Sequence, residues 1–472
     1  MQLYNTLTRN LMRVKPIHEG QIKLYACGPT VYNYAHIGNL RKFIFDDTLR
    51  RTLEAAGYEV KQVMNITDVG HLVSDADEGD DKLERGAKRE GKTVWEVAKD
   101  YTEAFKEDVA SLNILPPNGY NDREVGDTYA RATAFIDQQL EMIRLLLEHG
   151  HAYQTEQAIY FDVTSISNYG ELTGQRLEDK EIGARSQVVT DSNKRHPSDF
   201  AVWFFTVGHF TDHSMHWPSP WGEGFPGWHL ECSAIIHATL GDPIDIHTGG
   251  IDHIGTHHTN EMAQTEGAFG HHLANIWSHS EYVLVDSTKM SKSKGNSYTI
   301  KDITDREYSP MAFRLLVLQA HYRSELNYTW KSLQAAQNSL LNLYAWADLV
   351  HQPDLLTKKA NATLDRRLAD IQAAFENDLD TPGALAHLYG LIDQEITQKQ
   401  LKEALGRLEP VFGLSLAGRS DIEATHKRLI DERQTARKHE DWPAADGLRD
   451  RLAKDHLTVE DTPNGPRWRR NA

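Results

Sequence analysis

Cysteine is almost absent. Only Cys27 and Cys232 occur in 472 residues. They form no CxxC pair, which excludes a disulfide framework and leaves two thiols for the core or for ligation. Long apolar runs are missing too. None approaches the ~18 residues of a membrane span, and Met1 to Lys15 lacks the apolar stretch of a secretory signal. Both absences point to a cytoplasmic chain with no membrane partner. Basic residues are in deficit, 51 Lys and Arg against 68 Asp and Glu, a net charge of −17. That excludes a surface coated with positive charge, but not a local basic patch able to bind phosphates. The HxE and PCxxC pattern of zinc nucleobase deaminases is absent, as are internal repeats and low-complexity linkers. The 24 histidines are scattered, a pattern that usually marks surface positions.

The length allows two to four domains. Residues 21–27 (QIKLYAC) read as a short buried strand ending in a Gly28-Pro29-Thr30 turn. A helical pattern follows, with Leu40, Phe43, Ile44 and Leu53 near one face and Gly57 as its stop. Residues 58–66 read as the next strand, completing a βαβ unit of a nucleotide-binding sheet. Amphipathic helices are predicted over 94–113 and 128–150, and short strands over 151–205. The α/β pattern returns at 243–250 and 280–286. From 310 the chain is helical, with Leu315, Leu316, Leu318, Leu340, Leu341 and Leu343 supplying apolar content. The acidic run 75–82 (DADEGDDK) reads as a solvated loop. Residues 416–472 hold 12 Lys and Arg against 11 Asp and Glu, so the part before them carries −18.

Three constellations carry chemistry. His36-Ile37-Gly38-Asn39 stands where strand turns to helix. Helix N-termini offer unpaired N–H groups and a positive dipole end to phosphate, and glycine permits close approach. Alone, such a tetrapeptide also arises by chance. Lys289-Met290-Ser291-Lys292-Ser293 places two lysines on a polar loop, suited to neutralising a departing pyrophosphate or simply solvated. His257 and Glu261 are four apart and share a helix face. With Cys27 and Cys232 they make a donor set able to hold tetrahedral zinc; spacing alone does not bring the four together, and a lone His–Glu pair is also a common surface pair.

Taken jointly, these residues resemble the class I aminoacyl-tRNA synthetases. His36–Asn39 is similar to the HIGH signature with asparagine in its last place, and Lys289–Ser293 is an unaltered KMSKS signature. Further segments resemble the cysteinyl-tRNA synthetase family: 26–32 (ACGPTVY), 65–68 (NITD), 219–233 (SPWGEGFPGWHLECS), 247–252 (HTGGID), 257–264 (HHTNEMAQ), 325–328 (ELNY), 377–382 (NDLDTP) and 441–446 (DWPAAD). Phe225 stands where arginine is frequent in that family, and Lys294 where leucine is.

The resemblance implies an α/β fold: a Rossmann-type parallel-sheet catalytic domain in two halves, 1–112 and 206–309, around a connective insertion at 113–205. A helical bundle (310–415) and a small C-terminal anticodon-binding domain (416–472) follow. It implies one Zn²⁺ on Cys27, Cys232, His257 and Glu261. His36, Asn39, Lys289 and Lys292 become catalytic; these four, with Gly38, Gly250 and Asp252, bind ATP, which arrives with Mg²⁺. Thr67 and Trp228 line the cysteine pocket. The implied reaction joins L-cysteine to tRNA(Cys) through cysteinyl-adenylate, in a cytoplasmic monomer. Zinc would favour the thiolate of cysteine over serine, which an apolar pocket separates poorly. Arg467, Arg469 and Arg470 are candidates for phosphates and Trp468 for base stacking, against a frayed end. Two alternatives stand: a cysteine ligase acting on an amino-sugar, and a non-catalytic tRNA-binding homologue.

Overall fold

The computed structural model describes residues 1–471 except 71, 75–77, 123–125, 175–190, 192 and 291–294. It divides into two compact units, Met1–Ala110 with Leu115–Tyr282, and Ser111–Ile114 with Val283–Ala472.

The first unit begins with a hairpin, β1 (Gln2–Asn5) and β2 (Asn10–Arg13), followed by β3 (Gln21–Ala26), α1 (Ile37–Ala55) and β4 (Glu59–Ile66). Then come a short pair, β5 (Leu72–Ser74) and β6 (Glu78–Asp81), helices α2 (Lys82–Glu90) and α3 (Val94–Ser111), and β7 (Ala130–Arg131). Helix α4 (Ile136–Glu148) leads to β8 (Ala152–Gln154), β9 (Ala158–Phe161), β10 (Phe200–Phe205) and β11 (Gly224–Pro226), a four-stranded sheet of antiparallel neighbours. Helix α5 (Trp228–Thr239), β12 (Ile244–Gly250), α6 (His257–Phe269) and β13 (Ala274–Ser280) complete it.

The central sheet runs β13-β12-β3-β4-β7, all neighbours parallel. Such a sheet with crossover helices is the Rossmann-type architecture the sequence implies. Strands β3 and β12 are apolar because both faces are covered: Ile22, Leu24, Ile244 and Ile246 are fully buried. Helix α1 buries Leu40, Phe43, Ile44 and Leu53 as predicted, and Gly57, past its end, has φ of +93°. Most of its charged residues are also buried, which paired charges make tolerable: Lys42–Asp46 at 2.7 Å and Arg51–Asp47 at 2.8 Å are one turn apart.

Three readings need correction. The strand predicted at 280–286 is two: β13 ends at Ser280, and Val283–Val285 belongs to the second unit. Strand β13 (ANIWSHS) escaped notice because three of its six buried residues, Ser278, His279 and Ser280, are polar. The helix over 128–150 starts only at Ile136, after β7 and a 3₁₀ turn. The acidic run is no solvated loop at its end: Asp81 is 3% exposed and caps α2 through Leu83 N and Glu84 N. Its residues 75–77 lie outside the described residues.

The second unit opens with β14 (Val283–Val285), β15 (Thr288–Lys289) and α7 (Ile300–Thr304). Helix α8 (Pro310–Leu318) and β16 (Leu326–Tyr328) precede the helices α9 (Trp330–Ala347), α10 (Leu364–Glu376), α11 (Thr381–Ile392) and α12 (Gln398–Phe412). Of the leucines singled out there, all but the half-buried Leu341 are in the core. The chain ends in α13 (Ala424–Lys438), α14 (Trp442–Lys454) and a hairpin of β17 (Leu457–Thr462) and β18 (Gly465–Arg470). Its small core joins Ile422, Ile430, Leu452, Leu457, Val459 and Trp468. Among the described residues no helix is long and apolar enough to cross a membrane.

Candidate functional site

From β3 the sheet grows one way through β4 and β7 and the other way through β12 and β13. The order therefore reverses between β3 and β12, and ligands of such sheets bind at the carboxyl ends of the strands at that point. Cys27 lies there, its N–H donating to Thr248 O at 3.2 Å. Gly28 follows; a Cβ on it would lie 1.6 Å from Asn65 O, so only glycine fits. Thr67 stands just past β4. Its hydroxyl donates to Glu231 Oε1 at 2.6 Å and accepts from Asn65 Nδ2 at 3.1 Å. Asn65 Oδ1 takes the Gly28 N–H at 2.6 Å, which fixes the orientation of the amide.

Two helix starts feed the same place. Cys232 sits on α5 and His257 opens α6, with Glu261 one turn on. Cys27, Cys232, His257 and Glu261 are all buried, and their ligand atoms lie within 4.8 Å of one another. His257 Nε2 is 2.8 Å from Glu261 Oε1, so the pair is internal and not a surface pair. A second set, Cys27, His247, His258 and Glu261, meets the same limit and shares two members. Two thiols, an imidazole and a carboxylate, all buried, suit a thiophilic divalent cation. The electrostatics agree. Burial alone would raise the Cys27 thiol, but the hydrogen bond from Cys232, the charge of His258 and hydrogen bonds from His253 and His257 hold it well below the usual thiol range. Burial and the Cys27 thiolate push Cys232 up. Burial depresses the His257 imidazolium, yet Glu261 and Cys27 lift it to about 10.

Around this set lie histidines that scattered spacing hid. His247 Nε2 meets Glu261 Oε2 at 2.7 Å, with its ring stacked on Trp277 at 4.6 Å. His258 Nε2 is 3.2 Å from Cys27 Sγ, and its Nδ1 is 2.8 Å from His279 Nε2. His229 Nδ1 is 3.0 Å from His257 Nδ1. All are buried, contrary to the expectation that scattered histidines lie on the surface. Their partners are 14 to 231 residues away in sequence, beyond any periodic signal. Glu231 and Asn65 were missed for the same reason. Trp228, the first residue of α5, stacks on His257 at 4.4 Å. The departing residue Phe225 is fully buried and stacks on His213 at 3.8 Å.

His36 and Asn39 form a reciprocal cap on α1. Asn39 N–H donates to His36 Nδ1 at 3.1 Å, and His36 N–H donates to Asn39 Oδ1 at 3.2 Å. Because Nδ1 accepts, the neutral ring carries its proton on Nε2. Asparagine at position 39 thus has its own task in the cap. Gly38 is half-buried in that first turn. Gly250 ends β12, where a Cβ would lie 2.3 Å from Oδ1 of the exposed Asp252. Lys289 is exposed on β15 of the second unit. Lys292 lies outside the described residues.

Comparison with known proteins bears on this geometry. The family model of the class I (C) tRNA synthetase catalytic domain matches residues 13–338, and that of the cysteinyl-tRNA ligase anticodon binding domain matches 419–469. A cysteine–tRNA ligase of Burkholderia lata is 42% identical, over 99% of this chain and 96% of its own length. One from Treponema denticola is 38% identical, over 100% and 99%. Among solved structures, methionyl-tRNA synthetase of Mycobacterium tuberculosis aligns with a TM-score of 0.60 at 14% identity, over 84% of this chain and 92% of that one, a likeness of fold. With the sheet, the signatures and both matched domains in one chain, the protein belongs to the cysteinyl-tRNA ligase family of class I tRNA synthetases.

Proposed function

We propose that the chain activates L-cysteine with ATP as cysteinyl-adenylate and transfers it to the 3′ end of tRNA(Cys), as a cytoplasmic monomer. The observation that carries this is the convergence of Cys27, Cys232, His257 and Glu261 at the switch point of the sheet. These four would hold one zinc ion, and zinc there would supply affinity for a substrate thiolate that an alcohol cannot match. Thr67 would contact the substrate ammonium: its O–H is committed to Glu231 and one lone pair to Asn65. The hydroxyl is left as an acceptor, which fits a cationic donor. Trp228 would form the adjoining wall.

ATP, with Mg²⁺ as part of the substrate, would lie over the start of α1. His36 Nε2–H, Gly38 and Asn39 would take its phosphates, and Gly250 and Asp252 would adjoin its nucleoside part. Lys289 and Lys292 would neutralise the pyrophosphate as it leaves, an electrostatic role. The division at 112, 205, 309 and 415 goes with this reading, the last two segments meeting the tRNA. In the domain matched as anticodon-binding, Trp442 is 52% exposed with Arg437 5.4 Å from its ring centre. It is suited to stack on a base. Trp468 is not, being 4% exposed in the core.

The test is charging of a tRNA(Cys) transcript with radiolabelled cysteine and ATP, beside serine and a zinc-stripped sample. Charging with cysteine alone, lost on stripping and restored by zinc, is expected. Equal charging with serine, or charging indifferent to zinc, overturns the assigned basis of selectivity. Adenylate formation with no tRNA charged overturns the tRNA reaction.

A further inference from the structure

The turn that follows α9 and the strand β18 are joined by a charged clamp built around one carboxylate. Asp348 follows α9 and is fully buried. Its Oδ1 accepts from Arg419 Nε at 2.8 Å and its Oδ2 from Arg419 Nη2 at 3.0 Å. Arg470 Nη1 donates to the same Oδ2 at 2.8 Å. Both arginines are held from other sides: Arg419 lies 4.0 Å over the Tyr344 ring, and Arg470 Nη2 donates to Ser420 O at 2.7 Å. One turn on, Gln352 pairs with the backbone of Trp468 in both directions, Oε1 accepting from its N–H at 2.9 Å and Nε2 donating to its O at 3.3 Å. His351 Nε2 meets Arg419 O at 2.8 Å. Arg419 is the first residue of the matched anticodon-binding domain and Trp468 is next to its last. Asp348, His351 and Gln352 lie outside it.

This arrangement takes Trp468 and Arg470 out of the residues expected to meet tRNA. Trp468 is a core residue, and Arg470 is engaged with Asp348 and Ser420. A bidentate arginine pair on a buried carboxylate fixes direction as well as distance. We infer that Asp348, seconded by Gln352, is a positioning residue for tRNA recognition: it sets the attitude of the 419–470 segment on the bundle, and through it how the anticodon end of the tRNA is read. The inference rests on the tRNA-charging reading above. Asp348 lies outside the residues assigned to cysteine and ATP, and the inference gives it no part in cysteine activation.

Asp348→Asn keeps the shape and removes the charge, and Gln352→Ala removes the backbone pairing without leaving a buried ion. For each, three quantities are measured on the full chain: cysteine-dependent ATP–pyrophosphate exchange without tRNA, KM for a tRNA(Cys) transcript, and the preference for that transcript over one with a changed anticodon. The expected result is exchange within about twofold of the parent, KM for tRNA raised about tenfold, and the anticodon preference reduced about tenfold. A merely structural role would lower exchange and charging together and leave the anticodon preference alone; that outcome overturns the inference, as does an unchanged KM and preference. Should Asp348→Asn fail to fold, Gln352→Ala decides by the same criteria. A parent protein that exchanges pyrophosphate but charges no tRNA removes the reading beneath the clamp, and the clamp with it. A parent that charges and discriminates, with variants that do so equally, removes the clamp alone.

Discussion

The floor of the sheet and the C-terminal clamp both bury charge, but only one of them closes its account. In the clamp and its surroundings each carboxylate faces cations: Asp348 meets Arg419 and Arg470, and Asp461 meets Arg433 at 2.8 Å and Arg437 at 3.3 Å. At the sheet's switch point two thiols and a carboxylate crowd within 4.8 Å around the His257 imidazole, with the buried rings of His247 and His258 beside them. The surplus there is negative, and it shows in Cys232, which burial and the neighbouring Cys27 thiolate push up. Buried charge without a counter-charge costs several kcal/mol per ion. Such a cluster is suited to completion by a cation from outside, whereas a balanced cluster serves geometry.

The comparison breaks most visibly if the floor is changed. Cys232→Ser should lower bound zinc from one per chain to near zero by elemental analysis, and cysteine-dependent pyrophosphate exchange by at least about a hundredfold. Retention of both metal and activity would mean that the cluster completes itself. In the balanced region the effects should be small and should cancel. Arg433→Met alone leaves Asp461 with a weaker partner, and an expected loss of about 1 kcal/mol takes account of Asp461 being 35% exposed. Arg433→Met with Asp461→Leu should return most of that loss in thermal unfolding, because removing both partners of a pair removes the penalty with the attraction. A double variant as unstable as the sum of its parts would show that the pair is worth more than its balance.

How much of this was legible beforehand divides along the same line. The βαβ start, the helical second half and the motif residues were readable because each depends on local spacing or on a turn that only certain residues allow. Gly28, pressed on Asn65, and His36 with Asn39, capping α1, are such cases. The motif segments fall at element ends: NITD at the end of β4, HTGGID at the end of β12, DWPAAD at the start of α14. What stayed hidden are side chains whose meaning lies in a distant partner. His258 serves Cys27 across 231 residues and Arg470 serves Asp348 across 122. In the sequence Arg470 is one more basic tail residue, and Trp468 an aromatic equally suited to stacking on RNA and to filling a core. Strand β13 was missed because polar residues on a buried strand defeat the rule that burial reads as apolar.

A half-buried carboxylate away from both regions gives the finest test. Asp108 lies on α3, and burial together with the neighbouring Glu107 pushes its pKa up from 3.8 to about 7. A carboxyl with a raised folded pKa binds its proton more tightly in the native state. Between pH 3.8 and about 7 the folded chain therefore holds more proton than the unfolded one, and stability falls as pH rises through that window, then levels off. Asp108→Asn removes the titration. Below pH 4 the two proteins should melt together, and by pH 8 the variant should melt higher by about 1–2 °C, a modest figure because the side chain is only partly shielded from solvent. If the gap opens with the opposite sign, ionised Asp108 is a balanced charge like Asp348. If it opens as expected, ionising a carboxylate that is shielded from solvent costs stability in this fold, the same cost that the thiols and carboxylate at the floor of the sheet would carry.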